Sequence, residues 1–239
     1  MAPDRYFFCH LAKTGGHSLL LSLRKQFGDH AVYPLLEHEG NYQSKWDPRF
    51  MVDFMERRGD EIRVIAGHYP LCTRELFDFP LRTFTMLRDP VERTLSHLRY
   101  QAVVDPSYEH KSITEAFYDI KDNLANRHKY MVRMLSRPLE DVMSASPIAV
   151  ADPQEADLER AKQNLADIDV VGVLEHIDVF YRALDSTFGW DLGPPPHSNT
   201  TDPTDVPDRI LELIRDQCEM DMDLYRFALD LVEKRADIA

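Results

Sequence analysis

The run Ala12-Lys13-Thr14-Gly15-Gly16-His17-Ser18 combines a positive charge, hydroxyls and two glycines between an apolar stretch and an amphipathic one. Where a strand gives way to a helix, free backbone N–H groups and the positive end of the helix dipole converge, and glycines let an anion approach closely. Lys13 adds a mobile charge, and the Thr14 and Ser18 hydroxyls can donate further hydrogen bonds to a phosphate. An ordinary glycine turn before a helix would read the same way. The lysine precedes the glycines instead of following them, which disfavours an ordinary nucleoside triphosphatase.

A second group runs Arg88-Asp89-Pro90-Val91-Glu92-Arg93-Thr94-Leu95-Ser96. The planar fork of Arg88 suits a second phosphate, Ser96 supplies a neutral donor, and Arg93, Ser96 and His97 share a helical face by their spacing. The third group is Gly67-His68, in which a neutral imidazole near its ordinary pKa of about 6.5 could accept a hydroxyl proton. His10 and His17 are rivals for that role. His10 falls within a strand, where packing or orienting the loop suits it better. No metal is required, and no HExxH or comparable ligand spacing occurs.

These residues need elements to position them. Residues 6–11 read as a short buried strand, and Leu19 or Leu20, Leu23 and Phe27 recur at helical spacing until Gly28. Residues 63–66 and 83–87 read as two further strands, ending at Gly67-His68 and Arg88-Asp89-Pro90. Asp89 is a good N-cap, Pro90 suits the first helical position, and Glu92 sits three beyond the cap, so a helix is expected from Pro90 through Tyr100. Helices are expected over 113–136, 158–166 and 177–188, with a strand over 170–174. Leu211, Ile214, Cys218, Met222, Tyr225, Leu229 and Val232 mark one long final helix. Alternating helices and strands imply an α/β fold with a mostly parallel sheet flanked by helices, its ligands at the carboxyl ends of the strands.

The 239 residues, 44% hydrophobic, suffice for one large domain over 1–239, with no repeat or linker. A net charge of −13 argues against nucleic acid or an anionic membrane surface as partner, so any anion must be held by a local cluster of donors. Three scattered cysteines, with no CxxC pair, suggest neither a disulfide framework nor zinc, and a reducing compartment is the default. Without a signal or membrane-spanning segment, a cytoplasmic location is expected.

The segments His10 to Ser18 and Thr85 to Ser96 resemble the 5′-phosphosulfate loop and the 3′-phosphate motif of the sulfotransferases, especially the uronyl 2-O-sulfotransferase-like and bacterial branches of the carbohydrate enzymes. Gly67-His68-Tyr69-Pro70 resembles the segment that supplies that family's catalytic histidine. Asn126 to Ser136, Val171 to Glu175, His197-Ser198-Asn199 and Asp223-Leu224-Tyr225 are similar to later landmarks. Ala12 stands where the family usually has proline, and His17 where it has a small hydroxyl residue.

The resemblance implies a sulfotransferase fold akin to that of phosphate-loop nucleoside triphosphatases and 3′-phosphoadenylyl sulfate (PAPS) as cosubstrate. Lys13, Thr14, Gly15, Gly16, His17 and Ser18 would hold its 5′-phosphosulfate, and Arg88 and Ser96 its 3′-phosphate. Lys13 would stabilise the leaving oxygen and His68 would be the general base. The acceptor would carry a free hydroxyl, on a sugar by family analogy, with a glycolipid or secondary metabolite equally open. Arg57, Arg58, Arg74, Arg127, Lys129 and Arg133 could form a basic patch for a polyanion, or be solvated charges. His197 could line the acceptor or nucleotide site, and residues 37–58, with Tyr42, Trp46, Phe50 and Phe54, either cover the acceptor cleft or belong to the core. Two other readings stay open: a small-molecule kinase of the phosphate-loop type, and a noncatalytic nucleotide-binding module.

Overall fold

The structure, a computed structural model, describes residues 4–38, 41, 43–104, 107, 110–120, 129–144, 152–196 and 206–236. Five parallel strands, β1 (Tyr6–Cys9), β2 (Val32–Tyr33), β3 (Val64–Gly67), β4 (Arg82–Leu87) and β5 (Val170–Val173), form one sheet in the order β2-β3-β1-β4-β5. Helices cover both faces, as an all-parallel sheet requires. In β1 the period of two sends Tyr6 and Phe8 into one core layer and Phe7 and Cys9 into the other. On the first face Tyr6 and Phe8 meet Leu19 and Leu23 of α1 (Gly16–Phe27) and Phe180, Leu184 and Phe188 of α9 (Ile177–Phe188). The opposite layer gathers Met51, Phe54 and Met55 of α3 (Pro48–Arg58), Tyr130, Met131, Val132, Met134 and Leu135 of α6 (Tyr130–Ser136), Leu158 of α8 (Glu155–Ala166) and Leu224 of α11 (Glu219–Ala236).

The order of the strands places the site. From β1 the chain leaves toward β2 at one edge, whereas from β4 it leaves toward β5 at the other, so neighbouring strands β1 and β4 send their connections in opposite directions. A crevice opens beyond the carboxyl ends of such a pair. The loop from Leu11 to Gly15 and the start of α4 (Pro90–Val104) border it.

Several elements differ from the sequence reading. β2 has only two residues, too few for any periodicity to register. The helix expected over 113–136 is α5 (Ile113–Ile120) followed by the separate α6, because Lys129 has φ 53, a left-handed conformation that no helix can pass through. The final helix is two, α10 (Asp208–Gln217) and α11, broken at Cys218, whose backbone (φ −100, ψ 3) leaves the helical region. Asp89 does cap α4, its Oδ1 accepting from the amides of Val91 and Glu92 at 2.9 Å each. Glu92 does not complete the capping box: it pairs with Arg88 at 3.7 Å, and the Asp89 amide donates to Glu175 at 3.1 Å.

Residues 43–58 become the short α2 (Gln43–Trp46) and α3; Phe54 is core, and Tyr42 lies outside the described residues. The residues that could have formed a basic patch are largely neutralised or buried. Arg57 pairs with Asp53, Arg58 with Glu37 and Glu61, Lys129 with Asp152, and Arg133 is buried. Arg127, Asn126 and His197 to Asn199 lie outside the described residues. Among the described residues no helix is long and apolar enough to cross a membrane.

Candidate functional site

The turn after β1 leads into α1 with an uncapped first turn. Gly15, with φ 84, precedes the helix, no side chain caps the first turn, and no acidic residue occupies it, so the positive end of the helix dipole has no protein counter-charge there. Gly16 has a separate reason to be glycine: a Cβ there would stand 2.1 Å from Nε2 of His10, whose buried ring stacks on Phe8 beneath the turn. Thr14 departs from the expectation that it donates to the anion. It is fully buried, and its hydroxyl donates to the Leu11 carbonyl at 2.8 Å, closing the turn from inside. Ser18 is buried in the first turn of α1, while His17 is exposed.

Lys13 sits in a left-handed backbone conformation, φ 69, uncommon for a residue with a side chain. Its carbonyl accepts from Arg88 Nη1 at 3.3 Å, so the β1 loop and the end of β4 touch directly. Its ammonium lies over the ring of Tyr100, 4.1 Å from the centroid. Burial, followed by the nearby Arg88 charge, lowers the Lys13 pKa, and burial does the same to Arg88. Arg88 also feels Arg99 on α4, whose Nε is buried with no hydrogen-bond partner among the described residues. Ser96 is buried on the same helix. Lys13, Arg88 and Arg99 thus gather near the bare start of α1, with Glu92, Glu175 and Asp89 offsetting part of the charge on Arg88. Lys13 has no carboxylate within ion-pair distance among the described residues, and an anion at the loop would meet its charge directly.

His68 follows β3 directly, and the register that pairs Cys9 with Gly67 brings it beside His10. Its Nδ1 lies 2.8 Å from the His10 carbonyl oxygen. A carbonyl can only accept, so neutral His68 carries its proton on Nδ1 and leaves Nε2 with a free lone pair. Its ring is flanked by His10 at 4.3 Å and Trp46 at 4.2 Å, and its amide donates to the Lys45 carbonyl at 2.8 Å. The expected pKa near 6.5 is corrected: burial, with the charges of Lys45 and Lys13 against only a partial opposing effect from the His10 carbonyl, takes it down to about 4. His10, also lowered by burial and then by His68, is neutral as well.

A buried column fixes the loop from behind. The Ala12 amide donates to Tyr130 Oη at 3.0 Å, a bond that a proline at this position could not make. The Arg93 guanidinium, 1% exposed, lies 4.6 Å from the Tyr130 ring centroid. Asp221 of α11, fully buried, accepts from the amides of Met131 and Val132 at 3.2 and 2.9 Å and so caps α6 from a distance. Glu175, accepting from both the Asp89 amide and Tyr225 Oη, ties the start of α4 to α11.

Sequence reasoning missed Lys45, Arg99 and Tyr100, and took Arg93 for a member of the site face when it belongs to this column. Arg99 and Tyr100 follow Ser96 by three and four residues, a signal that was present in the helical spacing. A cavity of about 690 Å³ opens at the start of α4, against α10 and α11. Its walls set Asp89, Glu92, Asp216, Glu219 and Asp223 against Arg215 and Arg226, an acidic excess ill suited to a nucleotide, and neither Lys13 nor His68 lines it.

No family model matches the chain, and no curated protein matches it either.

Proposed function

We propose that the protein is a sulfotransferase of the phosphate-loop-like α/β fold, a single domain that moves the sulfuryl group of PAPS to an acceptor hydroxyl. The observation that carries this reading is the direct contact between the two anion-binding segments, Arg88 Nη1 to the Lys13 carbonyl, at the crevice between β1 and β4. One segment suits a 5′-phosphosulfate, through the bare α1 start and Lys13. The other suits a 3′-phosphate, through Arg88 and Ser96. A triphosphate would load the first segment and leave the second without a use.

In the reaction the acceptor oxygen forms a bond to sulfur as the bond from sulfur to the 5′-phosphate oxygen breaks, through a loose, in-line transition state. Charge builds on that departing oxygen, and the Lys13 ammonium neutralises it. The acceptor proton passes to Nε2 of His68, whose Nδ1–H stays on the His10 carbonyl. An imidazole with a pKa near 4 is a weak base, but a bound phosphosulfate brings negative charge beside Lys13 and raises its proton affinity. With the basic patch neutralised, an acceptor with a sugar hydroxyl on a small glycan, glycolipid or secondary metabolite fits better than a long polyanion.

Calorimetric titration with 3′-phosphoadenosine 5′-phosphate (PAP), adenosine 5′-phosphate, and adenosine triphosphate with magnesium tests the reading. PAP binding that needs the 3′-phosphate and weakens in Arg88→Ala is expected. Preference for the triphosphate would make the protein a kinase, and no nucleotide binding would end the proposal.

A further inference from the structure

The aim of Lys13 is set by a residue outside both anion-binding segments. In a chain of 41 acidic residues, the Lys13 ammonium has no carboxylate within ion-pair distance among the described residues; it rests on the face of Tyr100, Nζ 4.1 Å from the centroid. Tyr100 lies one helical turn beyond Ser96, on the same side of α4. At 46% exposure it contributes little to the core. The backbone of Lys13 is already fixed, by φ 69 and by the bond from Arg88 to its carbonyl, so the flexible four-carbon stem is what remains to be ordered. A carboxylate partner would hold the ammonium but compete with an incoming phosphate. The negative face of an aromatic ring holds it and leaves its charge available.

We propose that Tyr100 is a positioning residue that holds the Lys13 ammonium at the mouth of the loop, so that a 5′-phosphate ester meets a cation already in place. This rests on the nucleotide reading above. An exposed cation–π contact corresponds to roughly a two- to fivefold change in affinity.

The test titrates wild type, Tyr100→Phe and Tyr100→Leu with PAP and with adenosine 3′-phosphate, which lacks the group that Lys13 meets. Tyr100→Phe keeps the ring and should match wild type. Tyr100→Leu should raise the Kd for PAP two- to fivefold, leave adenosine 3′-phosphate unchanged, and have no effect when Lys13 is already Met. Unchanged PAP binding in Tyr100→Leu, or equal losses for both nucleotides, overturns the proposal. If wild type binds neither nucleotide, the functional reading fails by itself, and carbon-13 NMR of the reductively methylated protein decides the placement of Lys13. Methyl signals shifted upfield by the ring in wild type and Tyr100→Phe, but not in Tyr100→Leu, uphold the hold on Lys13; unshifted signals in wild type overturn it.

Discussion

Replacing His68 by asparagine, which keeps a side-chain donor near the His10 carbonyl, should remove a specific share of the protein's acid sensitivity. The His68 imidazole takes up its proton at about 4 in the folded chain against 6.5 for the ordinary group. Between those values the unfolded chain binds a proton that the folded chain refuses. The contribution is therefore fully present above pH 6.5 and is lost as the pH falls toward 4. The whole difference is worth roughly 3 kcal/mol, of which about 2 kcal/mol is lost between pH 7 and pH 5. Urea unfolding of wild type and His68→Asn at those two pH values should show wild type losing about 2 kcal/mol more than the variant. His10, buried and lowered in the same direction, is present in both proteins and largely cancels. If both lose the same stability, burial does not exclude the proton from His68. In a transfer assay the same argument places the acid limb of kcat/KM for PAPS, which reports the free enzyme, well below 6.5, and a limb at 6.5 would refute it.

Three further outcomes follow from the same geometry. Gly16→Ala drives a methyl group into the buried His10 ring, so it should destabilise the fold by about 1–3 kcal/mol in chemical denaturation, whereas His10→Ala in the same chain should relieve part of that loss. Asp221→Ala removes the carboxylate that caps α6 and offsets the buried charges of Arg93 and Arg133; a cost of about 3–5 kcal/mol is expected, with a clear fall in Tm. Arg99, whose buried Nε has no hydrogen-bond partner among the described residues and whose charge acts on Arg88, is expected to join Arg88 and Ser96 on the 3′-phosphate; Arg99→Ala should then weaken PAP binding about tenfold, the loss of one charged hydrogen bond, and leave adenosine 5′-phosphate binding unchanged, whereas equal weakening of both would remove Arg99 from that role.

The parts of this fold that the sequence announced are those in which local pattern and tertiary role agree. Four strands were legible because each is a short apolar run closed by glycine or polar residues, and α9 was legible to the residue because its apolar positions recur until Gly189. Where pattern and role diverge, the reading went astray. The stripe from Leu211 to Val232 continues without interruption across Cys218, yet the helix breaks there, since side-chain periodicity carries no record of one residue's backbone angles. Lys129, the left-handed N-cap of α6, interrupts the expected helix although nothing in its side chain forbids one. The direction in which each connection leaves the sheet, which creates the crevice between β1 and β4, is a property of the whole chain and is written in no single segment.

For the candidate site the division falls between residue type and protonation or hydrogen-bond state. Glycines, lysine and arginine at the ends of strands announce an anion by composition alone. That the Thr14 hydroxyl is spent on Leu11, or that His68 sits near a pKa of 4, depends on what lies behind the loop. What lies behind it is the column from Ala12 through Tyr130 and Arg93 to Asp221, whose members are up to 209 positions apart in the chain. Each link is satisfied only if the others are in place, because a guanidinium and a carboxylate this deeply buried are tolerated only together. The column makes the loop's geometry conditional on the packing of α4, α6 and α11, so a substitution far from the crevice, at Asp221 above all, should alter anion binding as well as stability, whereas one on the exposed face of α10 should alter neither.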